Sequence, residues 1–259
     1  MKKQKKESFS LRTDLIFEKN TRMEPTSVEK YPSKIRVENY SKGNVQSTII
    51  SFQDVRDLNH FKKVQEVLID VFQNYCKISS SDVILMIGLG NDKSTPDALG
   101  PTVMENILVT RHLFLLGEVE KGYHNVCSFV PNVMGNTGID TTDMIRSIIK
   151  QTKATKVFIV DSLKTSSLSR LGKTIQITNE GIIPGSGIGS NRKEISSKEM
   201  GVEVIAIGVP TVVDLRSIDE SLQSSFIVTP TDIDFLIEKL GILIGNGLNF
   251  FCHPKFRQK

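Results

Sequence analysis

Residues 84–101 read ILMIGLGNDKSTPDALGP, and the interpretation of the whole chain starts from this stretch. The apolar run at 83–87 predicts a short strand that is buried on both faces of a sheet. Gly88 and Gly90 allow the backbone to leave that sheet sharply. Because proline fits the first turn of a helix, Gly100-Pro101 predicts that a new helix begins there and continues towards Arg111.

Asp97 lies between the predicted strand and the predicted helix. Open α/β sheets bind ligands beyond the carboxyl ends of their strands, so Asp97 is a candidate site residue. An aspartate shortly before a helix also often serves as its cap, and position alone leaves both roles open. The glycines at 88 and 90 lack the third glycine of a dinucleotide-binding fingerprint, so they are weak evidence for a phosphate site.

The composition is typical of a soluble globular protein, with 39% hydrophobic and 24% charged residues among 259. The net charge of +4 comes largely from basic residues near the two ends, which predicts solvated tails and no nucleic-acid partner. Three cysteines without metal-type spacing fit free thiols in a reducing compartment. No run of apolar residues is long enough to predict a membrane span, and no signal peptide is evident. We therefore expect a cytoplasmic protein.

Strand-like and helix-like patterns alternate along the chain. Apolar spacing over 61–75 predicts a helix, and alternation around Lys42-Gly43-Asn44 predicts one or two strands. Further buried strands are predicted at 126–130, 156–160, 174–177 and 204–208, with a last helix over 233–248. This alternation predicts an α/β fold with a mostly parallel central sheet and helices on both faces.

Asp161 directly follows the predicted strand at 156–160, much as Asp97 follows the strand at 83–87. If the two strands are neighbours in a parallel sheet, both carboxylates face one crevice. Paired carboxylates that share a proton can activate water, because one accepts its proton while the other hydrogen-bonds the carbonyl under attack. The alternative, that Asp161 caps a turn, stays open, and Asp214 also follows a predicted strand.

Several longer phrases resemble one family, the germination proteases of bacterial spores, which degrade small acid-soluble spore proteins. The resemblance extends from Arg12 to about Leu248, nearly the whole chain. It rests on RTDL at 12–15, GLGN at 88–91, TPDALGP at 95–101, TRHL at 110–113, residues 131–138, VD at 160–161, TIQI at 174–177, residues 181–189 and residues 204–214.

The resemblance implies the α/β fold of hydrogenase-maturation peptidases (phosphorylase/hydrolase-like) and an atypical aspartic-type endopeptidase without a cofactor. The two catalytic aspartates of the family fall on Asp97 and Asp161. The family also implies a self-processing zymogen cut between Asp14 and Leu15, with a pro-segment at 1–14 and a single peptidase domain at 15–259. It further implies small acid-soluble spore proteins as substrates, a homotetramer, and a location in the cytoplasm of the forespore or spore core.

The chain departs from the family pattern near the candidate site. After Asp161 the family continues with Ala-Leu-Ala and an arginine, where this chain has Ser162-Leu163-Lys164-Thr165. Asn179-Glu180-Gly181 stands in place of Asp-Thr-Gly, and Gly189-Ser190-Asn191 replaces a tighter Gly-Asn. Both aspartates are retained, so these departures concern substrate preference and the level of activity.

Glycine-rich loops are expected to line the substrate cleft. The candidates are Gly90 and Asn91 after the first predicted strand, and Gly185, Ser186 and Gly187 further along. The composition of the loop at 185–189 predicts a lid that closes over bound substrate. Ser186 is not predicted to be a nucleophile, because no histidine and acid pattern supports a triad.

Basic and imidazole side chains give weaker hypotheses. Lys164 and Arg192 are candidates for binding acidic side chains of a substrate, although exposed basic residues are usually only solvated. His112 is predicted to lie on the helix after Asp97, where a structural hydrogen bond is favoured over a role as a base.

Two other functions stay open. A metal-dependent maturation peptidase on the same fold needs a histidine ligand near the aspartates. No histidine follows a predicted buried strand, so no metal is expected; the four are His60, His112, His124 and His253. A catalytically silent relative that binds spore proteins without cutting them is the other alternative.

Overall fold

The computed structural model describes residues 15, 24–185, 193–219, 221 and 226–258. The strands of this part of the chain form one sheet and are β1 Ser27–Tyr31, β2 Ile35–Lys42, β3 Val45–Ser51, β4 Val83–Gly88, β5 Asn125–Phe129, β6 Lys156–Thr165, β7 Thr174–Thr178, β8 Glu203–Asp214 and β9 Ile227–Val228. Its helices are α1 Leu58–Tyr75, α2 Leu99–Glu105, α3 Arg111–Leu116, α4 Met134–Thr137, α5 Thr141–Thr152, α6 Ser197–Met200 and α7 Ile233–Cys252.

One half of the sheet is parallel and carries the candidate site. Its strand order is β5-β4-β6-β8, and β4 pairs in parallel with both β5 and β6. Ile87 lies opposite Phe129 on one side and opposite Ile159 on the other. Because parallel strands end at the same edge, the loops after β4, β5 and β6 all leave the sheet on one side.

The other half of the sheet is antiparallel, with the order β1-β2-β3-β7 and an antiparallel contact between β7 and β8. A two-residue turn at Gly43-Asn44, with Gly43 at φ +61°, joins β2 to β3 and makes them a hairpin. The connection from β6 to β7 is too short for a parallel crossover, so β7 also runs antiparallel. The α/β class is confirmed, and the sheet is mixed, with its parallel pairings confined to one half.

Helices cover both faces of the sheet, as predicted. On one face α1, α2 and α7 enclose a core that includes Phe158, Val160 and Ile205. On the other face α5 packs over Ile159 and Leu163. The alternation of buried side chains along β6 therefore assigns its odd-numbered residues to the α5 face and its even-numbered residues to the α7 face.

The last helix, α7, is a core element. Its mean hydropathy is 1.3, and by length and composition alone this helix could cross a membrane, although the sequence predicted no such span. In this fold its buried side chains pack with α1 and α2. The helix lies where the sequence predicted one and continues to Cys252.

The predicted helix from Pro101 towards Arg111 is instead two helices, α2 and α3. Asn249 of α7 accounts for two of the backbone groups at the break, because its side chain binds one carbonyl and one N–H there. Its Nδ2 donates to the Asn106 carbonyl at 2.8 Å, and its Oδ1 accepts the Leu108 N–H at 2.8 Å. The prediction of one continuous helix was wrong because this contact comes from a distant part of the chain.

Candidate active site

Asp97 ends a short 3-10 turn, Thr95–Asp97, between β4 and α2. Its N–H donates to the Ser94 carbonyl at 2.7 Å, and its own carbonyl accepts the Asn91 N–H at 3.0 Å. The N-cap of α2 is Ala98, and no side chain caps that helix end. Asp97 is therefore not the cap of α2, and its carboxyl group lies half-buried at the start of the helix.

Glycines allow the turn after β4 to fold back on itself. Gly90 has φ +112°, and a Cβ at this position would lie 1.9 Å from the Asp97 carbonyl oxygen. A Cβ on Gly88 would lie 2.3 Å from the carbonyl oxygen of Gly100. Because neither position has room for a side chain, α2 begins directly against the end of β4 and brings Asp97 with it.

Asp161 lies within β6 and not after it, since this strand continues to Thr165. The extension arises because β8 continues alongside, pairing Asp161 with Gly208. The Asp161 side chain is 7% exposed, and its Oδ1 accepts the N–H of Ser162 at 2.9 Å. By the alternation of the strand, Asp161 shares the α5 face with Ile159.

The two aspartates lie beside the point where β4 ends against β6, Asp97 in the turn after β4 and Asp161 within β6. Gly88 at the end of β4 pairs with Val160 of β6, and the Leu89 N–H donates to the Val160 carbonyl at 2.8 Å. Val160 immediately precedes Asp161, and Gly90, one residue after Leu89, contacts Asp97. Both acids are thus attached to the same junction between β4 and β6.

A group of asparagines links the loop after β4 to the loop after β5. Asn136 Nδ2 donates to Asn132 Oδ1 at 2.8 Å and to Asn91 Oδ1 at 3.4 Å. Asn132 Oδ1 also accepts the N–H of Val133 at 2.7 Å. Sequence reasoning assigned Asn91 to the cleft but gave no role to Asn132 or Asn136, although both lie in a phrase on which the family resemblance rests.

The glycine-rich loop is only partly described. Gly185 follows a stem in which Ile182 and Ile195 form a β-bridge, while Ser186, Gly187 and Arg192 lie outside the described residues. The stem contacts α5, because the Thr142 hydroxyl donates to the Lys193 carbonyl at 3.3 Å. The predicted lid movement stays a prediction.

Leu15, the residue after the predicted cleavage point, is 6% exposed. It belongs to the apolar cluster on the α5 face, which also contains Leu89, Ile159 and Leu163. Asp161 lies on that face of β6, between Ile159 and Leu163 in sequence. Asp14 and the predicted pro-segment at 1–14 lie outside the described residues.

Lys164 is not the solvated basic residue that its sequence position suggested. Its side chain is 12% exposed, and its Nζ lies 3.0 Å from Oδ2 of the fully buried Asp214. Arg216 contributes a second cation to the same carboxylate, with Nη2 at 3.4 Å. Lys164 therefore helps to neutralise a buried acid at the ends of β6 and β8.

The histidines lie away from the two aspartates or serve structural roles. His253 is fully buried at the end of α7, where its Nδ1 accepts the His124 N–H at 3.2 Å and its Nε2 contacts the Leu108 carbonyl at 3.2 Å. His60 Nε2 accepts the Gln53 N–H at 3.3 Å. His112 is exposed on α3, and the described residues give its ring no hydrogen bond, so its predicted structural bond is absent there.

The remaining candidates for metal or thiol chemistry are few. Within the described ranges, no group of three or more His, Cys, Asp and Glu side chains is arranged to hold a metal ion. The cysteines Cys76, Cys127 and Cys252 are free. Burial raises the pKa of Cys76 to about 12, which keeps this thiol protonated and unreactive at neutral pH.

The fold and the site together define an α/β protein whose candidate site is a pair of carboxylates at the junction of two adjacent parallel strands, β4 and β6. Residues 37–224 match the family model described as Germination protease. The chain belongs to the germination protease family.

Relatives of the same name differ in how much of their length the chain covers. The chain is 43% identical to a germination protease of Geobacillus sp. (strain WCH70) over 199 residues, which are 74% of this chain and 51% of the relative. It is 48% identical to that of Bacillus velezensis over 65% of this chain and 48% of the relative. It therefore spans about half the length of these two relatives.

The germination protease of Clostridium tetani is 30% identical and is matched over 95% of this chain and 96% of its own length. Among solved structures, similarity is found to the [NiFe] hydrogenase maturation protease HycI of Thermococcus kodakarensis, with 20% identity over 70% of this chain and 98% of the other, and a TM-score of 0.39. The Hydrogenase 3 maturation protease has 14% identity over 63% and 89% of the two chains and a TM-score of 0.33.

Proposed function

We propose that this protein is an endopeptidase that degrades small acid-soluble spore proteins during spore germination, with Asp97 and Asp161 as its catalytic pair. The observation that carries the proposal is the junction between β4 and β6. There the Leu89 N–H binds the Val160 carbonyl at 2.8 Å, and each aspartate is attached to one side of this contact. Membership of the germination protease family supports the reaction and the substrate class.

The proposed chemistry is general acid–base activation of water. One carboxylate of the pair takes a proton from the water as it attacks the peptide carbonyl, while the other, protonated, hydrogen-bonds the carbonyl oxygen. Asp161 is held firmly for this task, because it lies inside a strand and binds the Ser162 N–H. Asp97 lies half-buried on a loop, where a substrate can reach its carboxyl group.

We also propose that the chain is a zymogen that is cut between Asp14 and Leu15. Leu15 supports this idea, because it is buried in the apolar cluster of the face on which Asp161 lies. A homotetrameric assembly, with the cytoplasm of the forespore or spore core as its location, completes the proposal by analogy with the family.

The test is incubation of the purified protein with a small acid-soluble spore protein, followed by mass spectrometry of the products. We expect internal cleavage by the wild type and a loss of at least about 100-fold in the variants Asp97→Asn and Asp161→Asn. Asp92→Asn is the matched control, because Asp92 is an exposed acid in the same loop as Asp97.

Three results would count against the proposal. Near-normal turnover by either aspartate variant would remove that residue from the catalytic pair. Loss of wild-type cleavage in a chelator would favour the metal-dependent alternative. Binding of the spore protein without any cleavage would favour the silent relative.

A further inference from the structure

Strand β8 contains a bulge beside the candidate site. Leu163 of β6 pairs with Pro210, but the next residue, Lys164, pairs with Val212. Thr211 is therefore the extra residue of β8, without a partner in the register with β6. Bulges of this kind re-aim a side chain, and they are common next to active sites.

The bulge aims the Thr211 hydroxyl at the turn that carries Asp97. Thr211 is 2% exposed, and its Oγ1 donates to the Pro96 carbonyl oxygen at 2.6 Å. That carbonyl belongs to the peptide group whose nitrogen is the backbone nitrogen of Asp97. Since the Asp97 N–H donates to the Ser94 carbonyl at 2.7 Å, this peptide group is held at both of its polar atoms.

Thr211 is itself held in place from its other side. The hydroxyl of Thr229 donates to the Thr211 carbonyl oxygen at 2.8 Å. A chain of hydrogen bonds therefore runs from Thr229 through Thr211 to the peptide before Asp97. The bond from Thr211 to Pro96 is short and the bond from Thr229 has an ordinary length, and such bonds fix an orientation closely when they are shielded from water.

The same strand also supports the other aspartate. Asp161 pairs with Gly208 of β8, three residues before Thr211. A Cβ on Gly208 would lie 2.5 Å from Cδ1 of Leu163, so the Leu163 side chain packs directly over Gly208. Strand β8 therefore contacts both parts of the candidate site. Its register with β6 places Gly208 opposite Asp161, and its bulge places Thr211 against the turn that carries Asp97.

We propose that Thr211 is a positioning residue, whose hydroxyl fixes the Pro96–Asp97 peptide and so places the Asp97 carboxyl group opposite Asp161. The inference rests on the proposed peptidase function for its kinetic consequences. The contact on which it depends, between Thr211 and Pro96, is independent of that function. Small displacements of a catalytic group are costly, which gives such a contact a large effect on rate.

The test compares Thr211→Val, which keeps the shape and removes the hydroxyl, with Thr211→Ser, which keeps the hydroxyl. We expect Thr211→Val to lower kcat by about 10- to 100-fold with KM changed by less than about twofold, because only the placement of the carboxyl group is altered. Thr211→Ser should restore kcat to within about threefold of the wild type.

A matched control and a second readout separate positioning from general damage. Thr110→Val also removes a buried threonine hydroxyl, but that hydroxyl binds the His124 carbonyl beside β5, the edge strand three positions from β8 in the sheet. Hydrogen exchange of the Asp97 amide, read without any substrate, should become about tenfold faster in Thr211→Val and stay unchanged in Thr110→Val.

Each outcome decides the question. Wild-type kcat and amide exchange in Thr211→Val would overturn the proposal, as would failure of Thr211→Ser to restore kcat. If Thr211→Val does not fold, Thr211→Ser and Thr211→Ala replace it, and equal activity of these two would overturn the proposal. If the wild type cleaves no spore protein, the proposed function fails, and the exchange rate of the Asp97 amide alone still supports or overturns the contact.

Discussion

Gly90 controls how closely the chain after β4 approaches Asp97. Its φ of +112° is strained for any residue with a side chain, and a Cβ would lie 1.9 Å from the Asp97 carbonyl oxygen. We therefore expect Gly90→Ala to push the turn at Thr95–Asp97 outward and to lower peptidase activity by about 100-fold. Turnover of a spore protein, measured beside urea unfolding, checks this.

The control for Gly90→Ala is Gly43→Ala in the β2–β3 turn. Gly43 also has a positive φ, +61°, but its surroundings are open, so an added Cβ meets nothing within 4 Å. Gly43→Ala should cost about 1 kcal/mol of folding free energy from backbone strain and leave turnover unchanged. If Gly90→Ala leaves turnover unchanged, as Gly43→Ala should, then the close approach of Gly90 to Asp97 is not needed for activity.

At the residue scale, the sequence predicted that Asp97 follows the end of β4, because a buried apolar run followed by glycines is a local signal. The prediction that Asp161 follows its strand was wrong, since β6 continues to Thr165. The catalytic roles of Asp97 and Asp161 stay predictions. Asn132, Asn136 and Thr211 were not given roles, because each has a hydrogen-bond partner on another loop or strand. Lys164 appeared to be a surface cation for the same reason, since its partner Asp214 is 50 residues away.

The break between α2 and α3 depends on one side chain of α7. Asn249 is 5% exposed and binds the Asn106 carbonyl and the Leu108 N–H. In Asn249→Ala both backbone groups lose their partner inside the fold, so the free energy of unfolding should fall by about 2–4 kcal/mol. Urea unfolding measures this.

Asn74→Ala is the matched control for Asn249→Ala, because Asn74 is an exposed asparagine within α1. Replacing it should leave stability unchanged or raise it by about 0.5 kcal/mol, as alanine is the better helix former. Equal effects of the two substitutions would show that Asn249 does not hold the break. No local pattern reveals such a break, which is why the sequence predicted one helix.

The end of α7 should make stability sensitive to acid. Burial lowers the pKa of His253, and the neighbouring His124 lowers it further, while the Leu108 carbonyl acts in the opposite direction. The unfolded state then binds a proton more readily than the folded state below about pH 6.5, so the free energy of unfolding should decrease as the pH falls from about 6.5. Above that pH the contribution of His253 is fully present.

The measurement for His253 is urea unfolding at pH 7.5 and pH 5.5, pH values at about one unit on either side of the imidazole pKa. The difference between the two free energies should be smaller in His253→Asn than in the wild type. His112→Asn, at an exposed histidine of α3, should keep the wild-type difference. An unchanged difference in His253→Asn would assign the acid sensitivity to other groups.

For the whole molecule, the sequence predicted the α/β class, the helices on both faces and the strands β2 to β8, because apolar periodicity reports burial directly. It gave no signal for β1 and β9, whose residues are mostly exposed. It did not predict the antiparallel half of the sheet. A strand pattern does not name its partner, and β7 pairs between β3 and β8, strands that are far apart in sequence. The parallel half was easier to predict, since each of its crossovers contains a helix.

The last prediction concerns the zymogen as a whole. If the pair of aspartates cuts the chain between Asp14 and Leu15, acid should favour the reaction, because the working state of two close carboxylates carries one proton. Acidification of the wild type should then remove the first 14 residues, as read by N-terminal mass analysis. Leu15 is already buried on the Asp161 face, so cutting within one molecule should proceed at a rate independent of protein concentration.

Asp97→Asn and Asp92→Asn separate self-processing from trimming by a contaminant. The first lacks one member of the pair and should keep its N-terminus, whereas the second retains both and should be processed like the wild type. Circular dichroism must show folded protein at the pH used, because the lowered pKa of the buried His253 predicts a loss of stability in acid. An unchanged wild-type N-terminus, or equal trimming of Asp97→Asn, would refute self-processing at this site. A rate that rises with concentration would instead mean that one molecule cuts another, and that the position of Leu15 does not serve the reaction.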